Sequence, residues 1–249
     1  MSALSLSGII FAVMLGGIWL GTLLRRILPK DHLNEHAKDV VRLGVGLIAT
    51  VAALVLGLLI AAAKGSFDTQ TTQVKQITAN LILLDSVLAQ YGPEALPIRQ
   101  HMRSAVGSFA DRLWREKETA TSGAFEANPA EEQVYLEIQK LSPQNDFQRS
   151  LQSRAVQVGN DLAQLRFMLY VESESLIPTP FLAILAFWLV IVFASYSLFA
   201  PLNATLFTCL SLFAFSAACA IFLILELGRP FTGLMMVSSA PLRNALGAL

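Results

Sequence analysis

The 249-residue sequence predicts an all-α membrane protein: four transmembrane helices with a helical-bundle extramembrane domain inserted between the second and third. Three observations carry that expectation. Charged residues make up 14% of the chain and hydrophobic residues 54%, whereas about a quarter of a soluble domain is charged. The charges are also segregated, leaving charge-free runs at 1–24, 43–63 and 175–225. Between the second and third of these runs, apolar residues recur at helical spacing with no strand alternation.

Each charge-free run is long enough for at least one crossing, since about 20 helical residues span the hydrocarbon core. The spans are expected at Leu6–Leu24, Leu43–Ala63, Phe181–Phe199 and Ala204–Leu225, with Pro201-Leu202-Asn203 turning the chain between the last two. The first run is expected to be a span rather than a cleaved leader, because no basic residue follows Met1. Mean hydropathy is +0.56. Net charge is zero, which argues against nucleic acid as a partner. Cys209 and Cys219 both fall inside the fourth span, so disulfides are not expected and the redox compartment stays open.

The polar block at 64–178 carries eleven basic and fourteen acidic residues without a long run of either sign. Val74, Ile77, Leu81, Leu84 and Leu88 mark a helix that Gly92-Pro93 ends. Few breakers besides Gly65 separate it from the second span, so the two are expected to form one rod. Ile98, Met102, Val106, Phe109 and Leu113 mark a second helix, with Pro97 in its first turn. After a small-residue loop at 119–127, Asn128-Pro129-Ala130-Glu131 resembles a capped start, and Ser142-Pro143 repeats the pattern for a last helix. The expected divisions are a first membrane pair at 1–63, the extramembrane domain at 64–178, a second pair at 179–226 and a tail at 227–249. In that tail Leu242, Leu246 and Leu249 suggest a face for the membrane interface.

Two stretches carry a resemblance. One is Leu28 to Asp68, LPKDHLNEHAKDVVRLGVGLIATVAALVLGLLIAAAKGSFD. The other is Phe222 to Leu246, FLILELGRPFTGLMMVSSAPLRNAL. Together they resemble an uncharacterised family of membrane proteins, widespread in bacteria, described as bestrophin-like. The resemblance covers essentially the whole chain and implies a kinship with bestrophins, which are pentameric anion channels with a narrow hydrophobic neck. One departure is visible: the family pattern implies an acid immediately before Arg229, and Gly228 stands there.

His32-Leu33-Asn34-Glu35-His36 matches H-x-x-E-H, in which two histidines one helical turn apart hold zinc and the glutamate is the base. It lies in a short connector with no third ligand in prospect, so a solvated amphipathic connector is the expectation and neither metal nor cofactor is assigned. No phosphate loop, dinucleotide fingerprint or Ser-His-Asp set is present, and an enzyme is not expected. In the second span Ala49, Ala53, Gly57 and Ala61 repeat small residues every four positions, a face suited to close helix packing. The first span adds Gly17-x-x-x-Gly21 and the series Gly8, Ala12, Gly16. In the fourth span Thr205, Cys209, Ser216 and Cys219 share one stripe within about 80° at 3.6 residues per turn. That stripe suits a packing face or a pore lining. Glu226 and Arg229, three residues apart at the end of the span, suit an interfacial ion pair or a charged ring at a pore mouth.

The expected function is a homo-oligomeric ion-conducting pore, with membrane lipids, further copies of the chain and ions as partners. The competing expectation is a non-conducting scaffold or sensor whose helical domain binds a partner. The connector carries Arg25, Arg26, Lys30, Lys38 and Arg42, which by the positive-inside rule places it in the cytoplasm and the helical domain outside the inner membrane.

Overall fold

The computed structural model describes residues 2–29, 35–115, 129–171, 179–200 and 203–248, and among these it is helical with no strand. Four helices are long and apolar enough to cross a membrane. In chain order the elements are α1 (Ala3–Ile27), α2 (Glu35–Tyr91), a 3-10 turn (Pro93–Ala95), α3 (Leu96–Arg115), α4 (Pro129–Gln139), α5 (Asp146–Val171), α6 (Thr179–Phe199), α7 (Ala204–Leu227) and α8 (Ala240–Ala248). They form two compact units, the first of residues 1–66 and 175–228, the second of 67–174 and 229–249.

In the first unit, α1 starts where the Ser2 hydroxyl accepts a hydrogen bond from the Ser5 amide at 3.1 Å. It ends with Arg25 and Arg26 in its last turn, the charge sign that the C-terminal end of a helix dipole favours. Its glycines divide by environment. A Cβ on Gly17 would lie 3.1 Å from Val190, and one on Gly21 would collide with the Ala194 carbonyl and the Ser197 hydroxyl, so α1 and α6 approach backbone to backbone there. Gly8 and Gly16 face open space. Met14, Ile18, Leu185, Ala214 and Ile221 are fully buried where α1, α6 and α7 meet, and Ala52 of α2 joins the same core. Helix α7 begins at Asn203, whose Oδ1 accepts from the Leu206 amide at 2.9 Å; residues 201 and 202 of the expected turn lie outside the described residues.

Helix α2 runs through Gly65 without interruption for 57 residues, as the scarcity of breakers implies. Its later part, from Phe67, belongs to the second unit and ends at Tyr91; Gly92 follows with φ 130°, a backbone that favours glycine. Asp85 of α2 accepts two hydrogen bonds from the Arg99 guanidinium of α3, at 2.6 and 2.7 Å. The Gln152 amide donates to the Ile138, Gln139 and Leu141 carbonyls at 2.8–3.2 Å, satisfying the C-terminal end of α4 from α5.

Helix α5 starts at Asp146, three residues beyond the start expected at Pro143, because Asn145 and not Ser142 is the cap. The Asn145 Oδ1 accepts from the Gln148 amide at 2.8 Å, while the Gln148 Oε1 accepts from the Gln144 amide at 2.8 Å. Together the two side chains satisfy two amides at the start of the helix, a variant of the capping box in which Gln148 reaches the residue before the cap. The expected Asn128 cap and the loop at 119–127 lie outside the described residues; α4 begins at Pro129.

The C-terminal stretch folds onto α3. Trp114 donates from its indole to the Val237 carbonyl at 2.9 Å and meets the Phe231 ring edge-on at 5.7 Å. Phe231 and Leu242 are fully buried in the core of the second unit, and the Arg243 guanidinium lies 3.3 Å from Asp111. Leu242 and Leu246 of the stripe expected at a membrane interface thus contribute to a protein core, since a periodic apolar face suits either, and Leu249 lies outside the described residues.

Candidate functional site: the open faces of the membrane-length helices

A helix that crosses a membrane and packs against its own chain has one committed face, and its opposite face is available for lipid, water or another subunit. On α7 the committed face is formed by Leu210, Ala214, Ala218, Ile221 and Ile224, all buried. The stripe of Thr205, Cys209, Ser216 and Cys219 lies about 160° around the helix from it. All four are exposed, and both thiols are free. Leu212, on the same stripe, is 62% exposed. The mildly polar side of this apolar helix is therefore the side its own chain leaves open.

Glu226 is placed differently. Its side chain is buried, only 4% exposed, although it lies just 20° beyond the stripe on a helical wheel. Helix α7 ends just past it, with the Gly228 amide donating to the Ile224 carbonyl at 3.1 Å. Arg229 is exposed. Within one chain, the Glu226 carboxylate and the four stripe residues do not share an open surface.

On α2 the inward face consists of buried Val45, Ala52 and Ala63, with Leu56 and Leu59 packed beside them. The small-residue series starts at the edge of that face and winds away from it. Ala49 is half-buried, while Ala53, Gly57 and Ala61 are exposed, and a Cβ on Gly57 would meet nothing within 4 Å. Leu43, Leu54 and Leu58 are 78%, 74% and 68% exposed beside it. The two small-residue patterns seen in the sequence thus part company: part of the α1 pattern packs inside the chain and most of the α2 pattern does not.

Of the H-x-x-E-H match, His32 lies outside the described residues, as does the His36 side chain. Glu35 is exposed and lies 3.5 Å from the Lys38 ammonium, three residues on. No group of three or more His, Cys, Asp or Glu side chains suited to a metal occurs among the described residues.

Sequence reasoning did not anticipate a half-open cavity of about 500 Å³ in the second unit. Its walls include Leu81, Met102, Val106, Phe109, Ile138 and Leu162, drawn from four helices. The Arg166 guanidinium lies over the Phe109 ring at 5.7 Å from its centroid, and Glu132 and Asn160 also line the cavity. Apolar spacing marks a core but carries no signal of how completely the core is filled.

The family model for a bestrophin-like domain matches residues 8–242, nearly the full chain, taking in most of α1 and the whole of α2, α6 and α7. The chain belongs to the bestrophin-like family. No curated protein and no solved structure matches it. The match takes in the first stretch that carried the resemblance and the second as far as Leu242, and the structure gives a physical role to part of each. In the first, Val45, Ala52 and Ala63 provide the inward face of α2. In the second, Gly233 adopts φ 102° so that the chain can turn and bring Val237 back to the Pro230 carbonyl at 2.7 Å. As a bestrophin-like protein with four membrane-length apolar helices, the chain is a membrane protein in contact with lipid.

Proposed function

We propose that this bestrophin-like protein assembles as a homo-oligomer in the inner membrane and conducts ions through a pore lined by α7. The observation that carries the reading is the open stripe of Thr205, Cys209, Ser216 and Cys219, opposite the face α7 packs against its own chain. Hydroxyls and thiols within a bilayer favour a neighbouring helix or water over lipid tails. A ring of such stripes around an axis satisfies them with water. The exposed Ala53, Gly57 and Ala61 then allow close packing between subunits. In this reading the second unit lies outside the bilayer, on the face opposite the 25–42 connector, and the protein has no catalytic role.

Glu226 sets the selectivity test. Though buried within its own chain, a carboxylate from each subunit near the pore mouth attracts cations through the protein, unless the exposed Arg229 offsets it. Purified protein in planar bilayers should pass current, and Glu226→Gln should shift the cation-to-anion preference. Water-soluble thiol reagents should reach Cys209 or Cys219 in the assembled protein. Silent bilayers across salts, voltages and pH, with both thiols unreactive, would favour the second reading: a non-conducting scaffold or sensor. The observation behind that alternative is the cavity of about 500 Å³ in the second unit, within the range of small-molecule sites.

A further inference from the structure

Where α1 ends and α7 begins, a groove of about 370 Å³ runs between the two helices. Ile18, Trp19, Leu23 and Arg26 line it from α1, and Ala204 and Phe207 from α7. Most of this wall is apolar and open. Trp19 is 72% exposed, and Leu23 and Phe207 nearly half. Two polar groups that also border the groove are already engaged. The Thr22 hydroxyl donates to the Ile18 carbonyl at 2.8 Å, and the Asn203 Oδ1 caps α7. Arg26 is therefore the group left to recognise a ligand. It is exposed, and no acidic side chain lines the groove among the described residues.

We propose that this groove binds an anionic phospholipid, its phosphate held by the Arg26 guanidinium and one acyl chain lying along Trp19, Leu23 and Phe207. Three features converge on that ligand. The guanidinium presents a rigid fork of donors that matches phosphate oxygens in pairs. Arg26 belongs to the last turn of a membrane-length helix, and residues 1–24 on its N-terminal side carry no charge, so the cation sits where a headgroup meets the hydrocarbon. Trp19 lies two turns deeper, about 10 Å at 1.5 Å per residue, on the path an acyl chain would follow from that headgroup. Net negative charge on the lipid is selected because no carboxylate lines the groove beside Arg26 among the described residues, while Arg25, next to it in sequence though not in the groove wall, adds to the local positive potential. A zwitterionic headgroup would bring its own cation towards two arginines.

Native mass spectrometry of the full chain in neutral detergent tests this, with phosphatidylglycerol or phosphatidylcholine of matched acyl chains added at equal concentration. The wild-type protein should hold phosphatidylglycerol at least about fivefold more tightly, as expected for one arginine near an anionic headgroup. Arg26→Gln should abolish the preference, Arg26→Lys should keep part of it, and neither should alter thermal stability in lipid-free detergent. Ala204→Phe, at an exposed position in the first turn of α7, should fill the groove and lower retention of both lipids while Arg26 remains. Inorganic phosphate at the same concentration should give no thermal shift. Equal retention of the two lipids by the wild type, unchanged retention in Arg26→Gln or in Ala204→Phe, or stabilisation by phosphate alone would each overturn the proposal.

Discussion

Replacing Asp85 with alanine would leave the Arg99 guanidinium, three-quarters buried, without the carboxylate that accepts two of its hydrogen bonds. That hydrogen bonding is also the chief reason the Arg99 guanidinium titrates above its ordinary value. Asp85→Ala should destabilise the second unit by about 2–3 kcal/mol, the scale of charge-assisted hydrogen bonds lost at a largely buried site. Joint replacement by Leu at 85 and Met at 99 should cost less than the sum of the single changes, because no buried charge is then stranded. Thermal unfolding of the three variants checks both statements. Tyr91 gives a complementary case. Its ring is buried, and its hydroxyl has no hydrogen-bond partner among the described residues. Burial, followed by the nearby Glu94 carboxylate, pushes the phenol above its ordinary 10.0. A raised folded value means full stability below pH 10 and a loss as pH climbs from there through the folded value. Tyr91→Phe should leave neutral-pH stability within about 0.5 kcal/mol or raise it slightly, and remove that alkaline loss. An alkaline melting profile identical to that of the wild type would show that the phenol contributes nothing to it.

At the scale of the element, the contrast between Gly21 and Gly57 separates packing within the chain from packing between chains. A side chain at Gly21 runs into the α6 backbone, whereas one at Gly57 enters open space. Gly21→Leu should therefore destabilise the single-chain fold by about 1–3 kcal/mol or more, the range for overpacking. Gly57→Leu should leave that fold unchanged and reduce the oligomer in mild detergent. Mass photometry beside thermal unfolding distinguishes the two, and an unchanged subunit count for Gly57→Leu would reject the α2 face as a close interface. The same pair marks how far the candidate site was legible. Charge-free runs expose a span directly, because the bilayer excludes charge at every position along it. The helix that crosses Gly65 was legible for a similar reason, since only a strong breaker stops a helix. Which small-residue face packs inward was not legible, because the pattern permits close approach without naming the helix that approaches. Glu226 illustrates a finer limit. It lies only 20° beyond the Cys209 and Cys219 stripe, yet it is buried while they are exposed, a difference set by what the rest of the same chain packs there and not by position on the helix alone.

For the whole molecule, the open question of sidedness turns on how charge is shared among the connectors. Five basic residues lie between 25 and 42, and none precedes Arg25. Basic residues in short loops resist translocation, so the connector is expected in the cytoplasm and the second unit on the far side of the membrane. Lys64 and Lys75 flank the other end of the second span and pull the opposite way. They are two against five, and Lys75 already lies within the second unit, where translocation follows the domain more than the charge. Ser153 on α5 is exposed and suits a reporter cysteine. With Cys209 and Cys219 replaced by alanine, Ser153→Cys should react with a membrane-impermeant maleimide on intact spheroplasts. Under the same orientation a cysteine at Arg42, also exposed, should react only after the membrane is opened. The reverse pattern would place the second unit in the cytoplasm. It would also put Arg26, and the lipid groove beside it, in the outer leaflet, where the positive-inside bias would no longer account for the pair of arginines that ends α1.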